Sequence, residues 1–492
     1  MNFNKIVNIF LFINLSILFF GYFIGFNKSL WIDEILSVSF GSEIPSQNIY
    51  QIFTRDPHSP FYYFLLFLGQ EFLKIVQLDE GDHFYLLRII NLIGFLPIYF
   101  SYNILKKNNS VLNLNTNLIF LFLISSNYFF QYILELRMYF LVLCFSLLVN
   151  VINLAGTVEN KNKILFIFTA IFLSILHIFG LTMSMSILVY RLIKNYYLND
   201  QNKIKIDLIF ILILLFIFSL FYLPSVLIDT NVKLLSYITN SLWYYRVILE
   251  WTILVWIFIF LSIILLAYNY KNYLFKKEII KNLFQYDFIN YTLTLALPAI
   301  ILMIVILAIS FIFFPISHYR SLIVIFPTLV LYCGVLAIFI FKINKFRPII
   351  IIFFIFLTFI NINYYSKYAI KTHENIKWTI NNSFTKECKD ADIYFNDNNQ
   401  KNYLPILKYI TNNYAKYDRP IKLLSKIDIN EIDEKVLKIG NCNILILSFH
   451  TTNLENNLAK IQLKNKEFII KYAPSVIEKS SKSGAIVLLD LK

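Results

Sequence analysis

The sequence predicts a polytopic α-helical membrane protein that ends in a small soluble α/β domain, and three observations carry that prediction. Of 492 residues, 58% are apolar and only 15% are charged, against roughly 25% charged in an average soluble domain. Windows of about 20 mostly apolar residues, the length that spans a bilayer, recur as far as Tyr365. Beyond Tyr365 they stop, and short β-rich runs alternate with helically spaced segments.

Eleven windows qualify as spans, because a helix satisfies every backbone polar group internally where water is absent. They fall near 5–25, 84–105, 115–134, 137–155, 163–179, 180–195, 205–228, 247–268, 291–314, 321–341 and 348–365. The first resembles a signal peptide, but it is long and lacks a small-x-small cleavage pattern, so it reads as a retained anchor. Lys and Arg in short loops stay cytoplasmic, which tests the count independently. With the N-terminus inside, the cytoplasmic connections hold 16 of the 24 basic residues in 1–365, from Lys5 to Arg347, while 11 of the 16 acidic ones fall outside. An odd number of spans then leaves the tail extracytoplasmic.

Two regions interrupt this pattern. The first outer loop, 27–83, carries charges and prolines between amphipathic stretches, and loops of that size usually serve function. Its aromatic run PFYYFLLF (60–67) suits an amphipathic helix lying on the membrane. The tail, 366–492, reads as strands at 391–395, 420–425, 443–449, 467–473 and 484–491, with helical spacing at 402–416 and 430–440. Strands alternating with helices predict an α/β domain. It has no phosphate-binding glycine loop, so docking or recruiting an acceptor suits it better than binding a nucleotide.

Charge excludes one further class. The net charge of +14 divides into 24 basic and 16 acidic residues in 1–365 and 20 and 14 in 366–492, so neither part is a basic patch for nucleic acid. Four cysteines are too few for a disulfide framework. Cys144 and Cys333 lie in apolar runs, while Cys388 and Cys442 lie in the tail and have the opportunity to pair if it is outside the cytoplasm.

Ionisable groups are costly inside a bilayer, so their placement is informative. Asp33 and Glu34 follow the first span. Asp56 and His58 lie in the first outer loop, and Arg88 opens the second span. Glu135 and Arg137 mark the outer turn between the third and fourth spans, His177 ends the fifth, and His318, Tyr319 and Arg320 precede the tenth. All belong to one depth, the outer surface. A secondary transporter would hold its substrate near the midplane, at broken helices and often between inverted repeats. The spans are largely uncharged at their centres and show no convincing repeat, which favours an enzyme acting on a lipid-borne headgroup at the interface.

Several side chains have both a chemical and a structural reading. In LWIDEILS (30–37), one carboxylate near apolar surroundings can be tuned toward a general base while its neighbour or a cation orients it; a solvated helix end carries the same pair. Arg137 has the simple reading of an interfacial arginine that snorkels. Glu135 and Arg137 are two residues apart and so diverge on a regular helix, which places Glu135 in the turn. Tyr139 belongs to a site wall or to the interfacial aromatic belt. Asp56, before Pro57, is equally a turn former. His58 and His177 suit phosphate or a divalent metal, but no close His-x-x-x-His spacing supports the metal.

Asp33-Glu34 followed by DPHSPFYY (56–63) resembles the Asp-Glu and Asp-x-His-Pro-Pro-Leu-Tyr-Tyr signatures of C-type glycosyltransferases. Nearest are the family 39 protein mannosyltransferases, with the aminoarabinose transferases and the Rgt-type lipopolysaccharide core sugar transferases. ELRMY (135–139), LHIFG (176–180) and HYRSLIVIFP (318–327) extend the resemblance in the family's order. Ser59, Leu176, Ile178 and Ser321 depart from it, which bears on donor and acceptor identity more than on reaction type. The resemblance implies transfer of a hexosyl or pentosyl group from a polyprenyl-phosphate donor to a cell-envelope glycolipid, lipopolysaccharide or protein, on the outer face of the cytoplasmic membrane and with inversion. It makes Asp33 the general base. It makes Glu34, Asp56, His58, Glu135, Arg137, Tyr139, His177, Tyr319 and Arg320 the substrate-binding set, Arg137 and Arg320 facing the departing phosphate.

Overall fold

The computed structural model describes residues 3–26, 30, 32–46, 60–78, 83–108, 115–156, 160–224, 257–265, 267, 287–312, 323–341 and 347–370, together with five strands of the tail. The chain divides into two compact units. The first comprises Met1–Phe23, Ser46–Tyr62 and Ile89–Lys367; the second comprises Ile24–Pro45, Tyr63–Arg88 and Tyr368–Lys492.

The helices, in chain order, are α1 (Phe3–Phe26), α2 (Ile32–Glu43), α3 (Pro60–Ile75), α4 (Phe95–Lys107), α5 (Thr116–Ile124), α6 (Asn127–Leu134), α7 (Tyr139–Ala155), α8 (Asn160–Leu176), α9 (Ile178–Tyr197), α10 (Gln201–Phe221), α11 (Asp287–Ile312), α12 (Phe326–Phe341) and α13 (Arg347–Ile370). Residues 257–265 are also helical. Each apolar window thus carries helix, and the fold is largely helical and polytopic.

By length and composition, four helical stretches among the described residues can cross a bilayer alone: Phe3–Phe26, Tyr85–Lys107, Gln201–Phe221 and Arg347–Ser366. Their outer faces carry large exposed apolar side chains, including Phe12, Phe19, Leu212, Phe216, Ile352 and Phe359. Lipid solvates such residues where water would not. In the middle of the first unit, α7 is buried along almost its whole length and packs on α4, α8 and α12. Gly94 permits the approach from the α4 side, since a Cβ there would stand 2.7 Å from the Phe140 ring.

Two windows depart from single regular helices. The one at 84–105 begins as a 3-10 helix, Phe84–Gly94, and becomes α-helical at α4. The one at 115–134 is a bent pair, α5 and α6 meeting at 63°. Ser125 ends α5, and Ser126 starts α6 by accepting the Phe129 N–H at 3.1 Å. Serine gives the backbone an alternative to continuing a helix. Tyr365 donates its hydroxyl proton to the freed Ile124 carbonyl, so part of the backbone opened by the break is satisfied internally.

Buried polar side chains tie the helices together. Thr328 donates to Asn150 Oδ1 at 3.2 Å, Asn153 to the Thr294 carbonyl at 3.3 Å, and Tyr190 shares a hydrogen bond with Thr294 at 2.9 Å. In hydrocarbon such bonds join helices that apolar contact alone does not drive together.

In the second unit α2 packs on α3. A Cβ at Gly41 would lie 3.1 Å from Leu66 Cβ and from the Tyr63 carbonyl, so glycine permits this approach. Gln70 reaches back to the Val38 carbonyl at 2.8 Å. The tail forms one sheet from β1 (Ile393–Phe395), β2 (Lys422–Leu423), β3 (Ile444–Ser448), β4 (Phe468–Tyr472) and β5 (Ala485–Leu491), in the order β2-β1-β3-β5-β4. All five expected strands are present. β1 pairs in parallel with β2 and β3, while β5 runs antiparallel to β3 and β4. Parallel neighbours need a crossover rather than a hairpin. The helices expected at 402–416 and 430–440 lie outside the described residues, as do Cys388 and Cys442.

Candidate active site

In the second unit, Ile32, Asp33 and Glu34 form the first turn of α2, where negative charge meets the positive end of the helix dipole. Glu34 is 1% exposed, so it needs a partner. Arg88 supplies one from the 3-10 stretch. Its Nη2 donates to Glu34 Oε1 at 3.1 Å and Oε2 at 3.0 Å, and its Nε to Oε1 at 3.3 Å. The remaining Nη1 donates to the Phe26 carbonyl at 2.8 Å, at the end of α1. The guanidinium therefore binds both the end of one helix and the beginning of the next. Asp33 is in the same turn as the clamped carboxylate.

In the first unit, the turn between α6 and α7 is buried. Glu135 caps α6 in an extended conformation (φ −86°, ψ 130°), out of the helix as its two-residue spacing from Arg137 required. Gln131 donates to its Oε1 at 2.7 Å. Asn91 donates its amide to the Glu135 carbonyl at 2.6 Å and the Ile133 carbonyl at 3.1 Å, satisfying backbone that no helix pairs.

Arg137 follows, 8% exposed, with Nη2 3.4 Å from the Tyr139 hydroxyl and its guanidinium carbon 5.4 Å from the Tyr139 ring centroid. The cation thus meets both the polar handle and the face of one tyrosine. The Tyr139 ring is 5.9 Å from the imidazole of His177. His177 caps α9: its Nδ1 accepts the Phe179 N–H at 3.1 Å, which places the proton of the neutral ring on Nε2.

Four expected site residues, Glu135, Arg137, Tyr139 and His177, therefore come together at the α6–α7 and α8–α9 turns. Glu34 pairs with Arg88 in the other unit, and Asp33 stands beside it in sequence. Asp56, His58, Tyr319 and Arg320 lie outside the described residues. Asn91 and Gln131 are additions, and Arg88, already placed at the opening of the second span, gains its partner here. Arg88 and Asn91 had a sequence signal: polar residues within an apolar run, RIINLIG, require partners. Among the described residues no group of three His, Cys, Asp or Glu side chains is arranged to hold a metal ion.

The sequence matches no protein-family model and no curated protein. Solved structures do match. ArnT from Cupriavidus metallidurans in the apo state superposes with a TM-score of 0.52 at 11% identity, over 98% of this chain and 97% of that one. ArnT from the same organism bound to undecaprenyl phosphate gives 0.55 at 12% identity, over 99% and 98%. At this identity the likeness is one of fold, and it extends along almost the whole of both chains.

Proposed function

We propose that this chain is an integral membrane glycosyltransferase that moves a sugar from a polyprenyl-phosphate donor to a cell-envelope acceptor with inversion. The observation that carries the reading is a fold shared along almost the whole chain with a protein crystallised with undecaprenyl phosphate, with the motifs following one another in the superfamily's order.

In this reading the acceptor oxygen attacks the anomeric carbon from the face opposite the phosphate. The carbon–oxygen bond to the phosphate breaks as the new glycosidic bond forms, and polyprenyl phosphate departs with the bonding pair. Asp33 takes the acceptor's hydroxyl proton, and Glu34, fixed by Arg88, keeps the α2 turn in place. A phosphate departs without protonation, so cations matter more than a strong acid. Arg137 and Arg320 meet it with forked donors. Tyr139 and His177 hold Arg137 in register, and Asp56, His58, Glu135 and Tyr319 complete the substrate-binding set.

The accompanying topology has eleven passes, with the N-terminus cytoplasmic and the α/β domain of 366–492 extracytoplasmic. The shorter apolar helices Tyr139–Ala155, Lys163–Leu176, Asn290–Ile306 and Phe326–Ile338 supply four of the passes.

Asp33→Asn is expected to abolish sugar transfer in membranes while the protein still inserts; transfer at the unaltered rate would remove Asp33 as base. Arg137→Ala and Arg320→Ala are expected to weaken donor binding in a titration with polyprenyl-phosphate sugar, by roughly tenfold or more each for a lost charge-assisted contact.

A transporter or flippase is the second reading, and the broken α5–α6 span favours it. A crevice of about 40 Å³ lies at the break, lined by Ser125, Ser126, Asn127 and Asn361 among others. That volume is on the scale of one or two waters rather than of a glycan. The polar side chains joining α7, α9, α11 and α12 are engaged with each other. Both features favour the enzyme.

A further inference from the structure

Helices α8, α9 and α10 end together in a group of charges remote in sequence from every candidate site residue except His177. Arg191 on α9 pairs with Asp207 on α10, Nη2 to Oδ1 at 2.7 Å, and Asn195 donates to the other carboxylate oxygen at 2.9 Å. The pair does not exhaust the guanidinium. Its Nη1 is buried without a hydrogen-bond partner, and its face stacks 4.7 Å from the Phe166 ring centroid on α8.

Further cations surround this pair. Lys194 donates to the neutral Asn290 at 3.2 Å, and Lys203 pairs with Asp200 at 2.8 Å. Asp200, which caps α10, has its carboxyl held below the usual range by the hydrogen bond from the Lys203 side chain, then by the Lys203 backbone N–H, with Lys163 on α8 adding to the effect. Lys163 acts on both carboxylates, Arg191 pairs with Asp207 and Lys203 with Asp200, and Lys194 stands near Arg191 and Lys203, so four cations gather around two carboxylates.

Beside the charges lies a shallow, open apolar dimple of about 10 Å³ between the same three helices, lined by Phe166 and Ala170 of α8, Leu188 of α9, and Phe210 and Leu214 of α10. Its position relative to the charges is regular. Phe166 is three residues from Lys163, Leu188 three from Arg191, and Phe210 three from Asp207, one helical turn in each case. An apolar helix surface therefore adjoins a cationic end at which one guanidinium nitrogen is unspent.

We propose that this end of α8–α10 is a binding site for one anionic phospholipid, its phosphate among Lys163, Arg191 and Lys194 and an acyl chain lying against the apolar surface formed by Phe166, Leu188 and Phe210. Basic pockets between membrane helices take acidic headgroups in this way. In the proposed topology these helix ends lie at the cytoplasmic leaflet, away from the proposed transfer chemistry.

The test uses the full-length protein in neutral detergent, with phosphatidylglycerol or phosphatidylcholine of matched chains titrated and retained lipids counted by native mass spectrometry. Phosphatidylglycerol is expected to bind at least tenfold tighter. The double variant Lys163→Gln/Lys194→Gln should lose roughly 10- to 30-fold of that preference, and Lys163→Arg/Lys194→Arg should keep it at an unchanged unfolding temperature. Equal retention of the two lipids would overturn the proposal, as would full preference in the glutamine variant. Competition by glycerol phosphate at the same concentration as the whole lipid would overturn the acyl-chain part.

Discussion

Arg88 shows how far one side chain can constrain the geometry around a proposed base. Isolated, an arginine at this depth would be a large desolvation cost; here all three of its donor nitrogens reach a carboxylate or a carbonyl. Removing one partner of a buried pair strands the other, at about 3–5 kcal/mol. Arg88→Met and Glu34→Leu are each expected to lower stability by that order in thermal unfolding in detergent. The double variant should cost clearly less than the sum of the two, because neither charge is left alone. An additive cycle would show that the pair contributes nothing as a pair. Glu34 also illustrates what the sequence left open. The motif offered its carboxylate either to substrate or to the support of Asp33, and the geometry around Arg88 favours support.

At the scale of elements, the turns place the chemistry. His177 ends α8 and caps α9, and Gly180 in the first turn of α9 allows that junction to be tight: a Cβ there would collide with the Leu173 carbonyl. Backbone does not yield as a side chain can. Gly180→Ala is therefore expected to destabilise by about 1–3 kcal/mol and to reduce transfer by displacing the imidazole. Gly334→Ala, which meets the side chain of Ile119, is expected to cost less. Comparable losses in the two variants would contradict this account. The helices themselves were legible as apolar windows. Their irregularities were not, because the 3-10 start of Phe84–Gly94 and the 63° bend at Ser125 and Ser126 depend on partners far along the chain, among them Tyr365.

For the whole molecule, the proposed topology makes a prediction from native residues alone. Cys144 and Cys333 are buried, whereas Cys388 and Cys442 belong to the tail. In intact cells treated with a mild reductant, a membrane-impermeant maleimide is expected to label the two tail cysteines and to leave the buried pair unlabelled. Labelling that requires permeabilised cells would place the tail inside. The sequence alone determined the polytopic helical architecture, the five strands and the residues that carry charge near the ends of spans. Those properties follow from transfer free energy and side-chain period, which each segment possesses independently of its neighbours. The tertiary structure decided which charge meets which: Arg88 with Glu34, Asn91 with the carbonyls of the α6–α7 turn, Arg137 with Tyr139 and His177, and Arg191 with Asp207. Spacing fixes the face on which a side chain stands. Only packing brings together residues tens of positions apart, and an ion removed from water must find its partner wherever the fold has placed one.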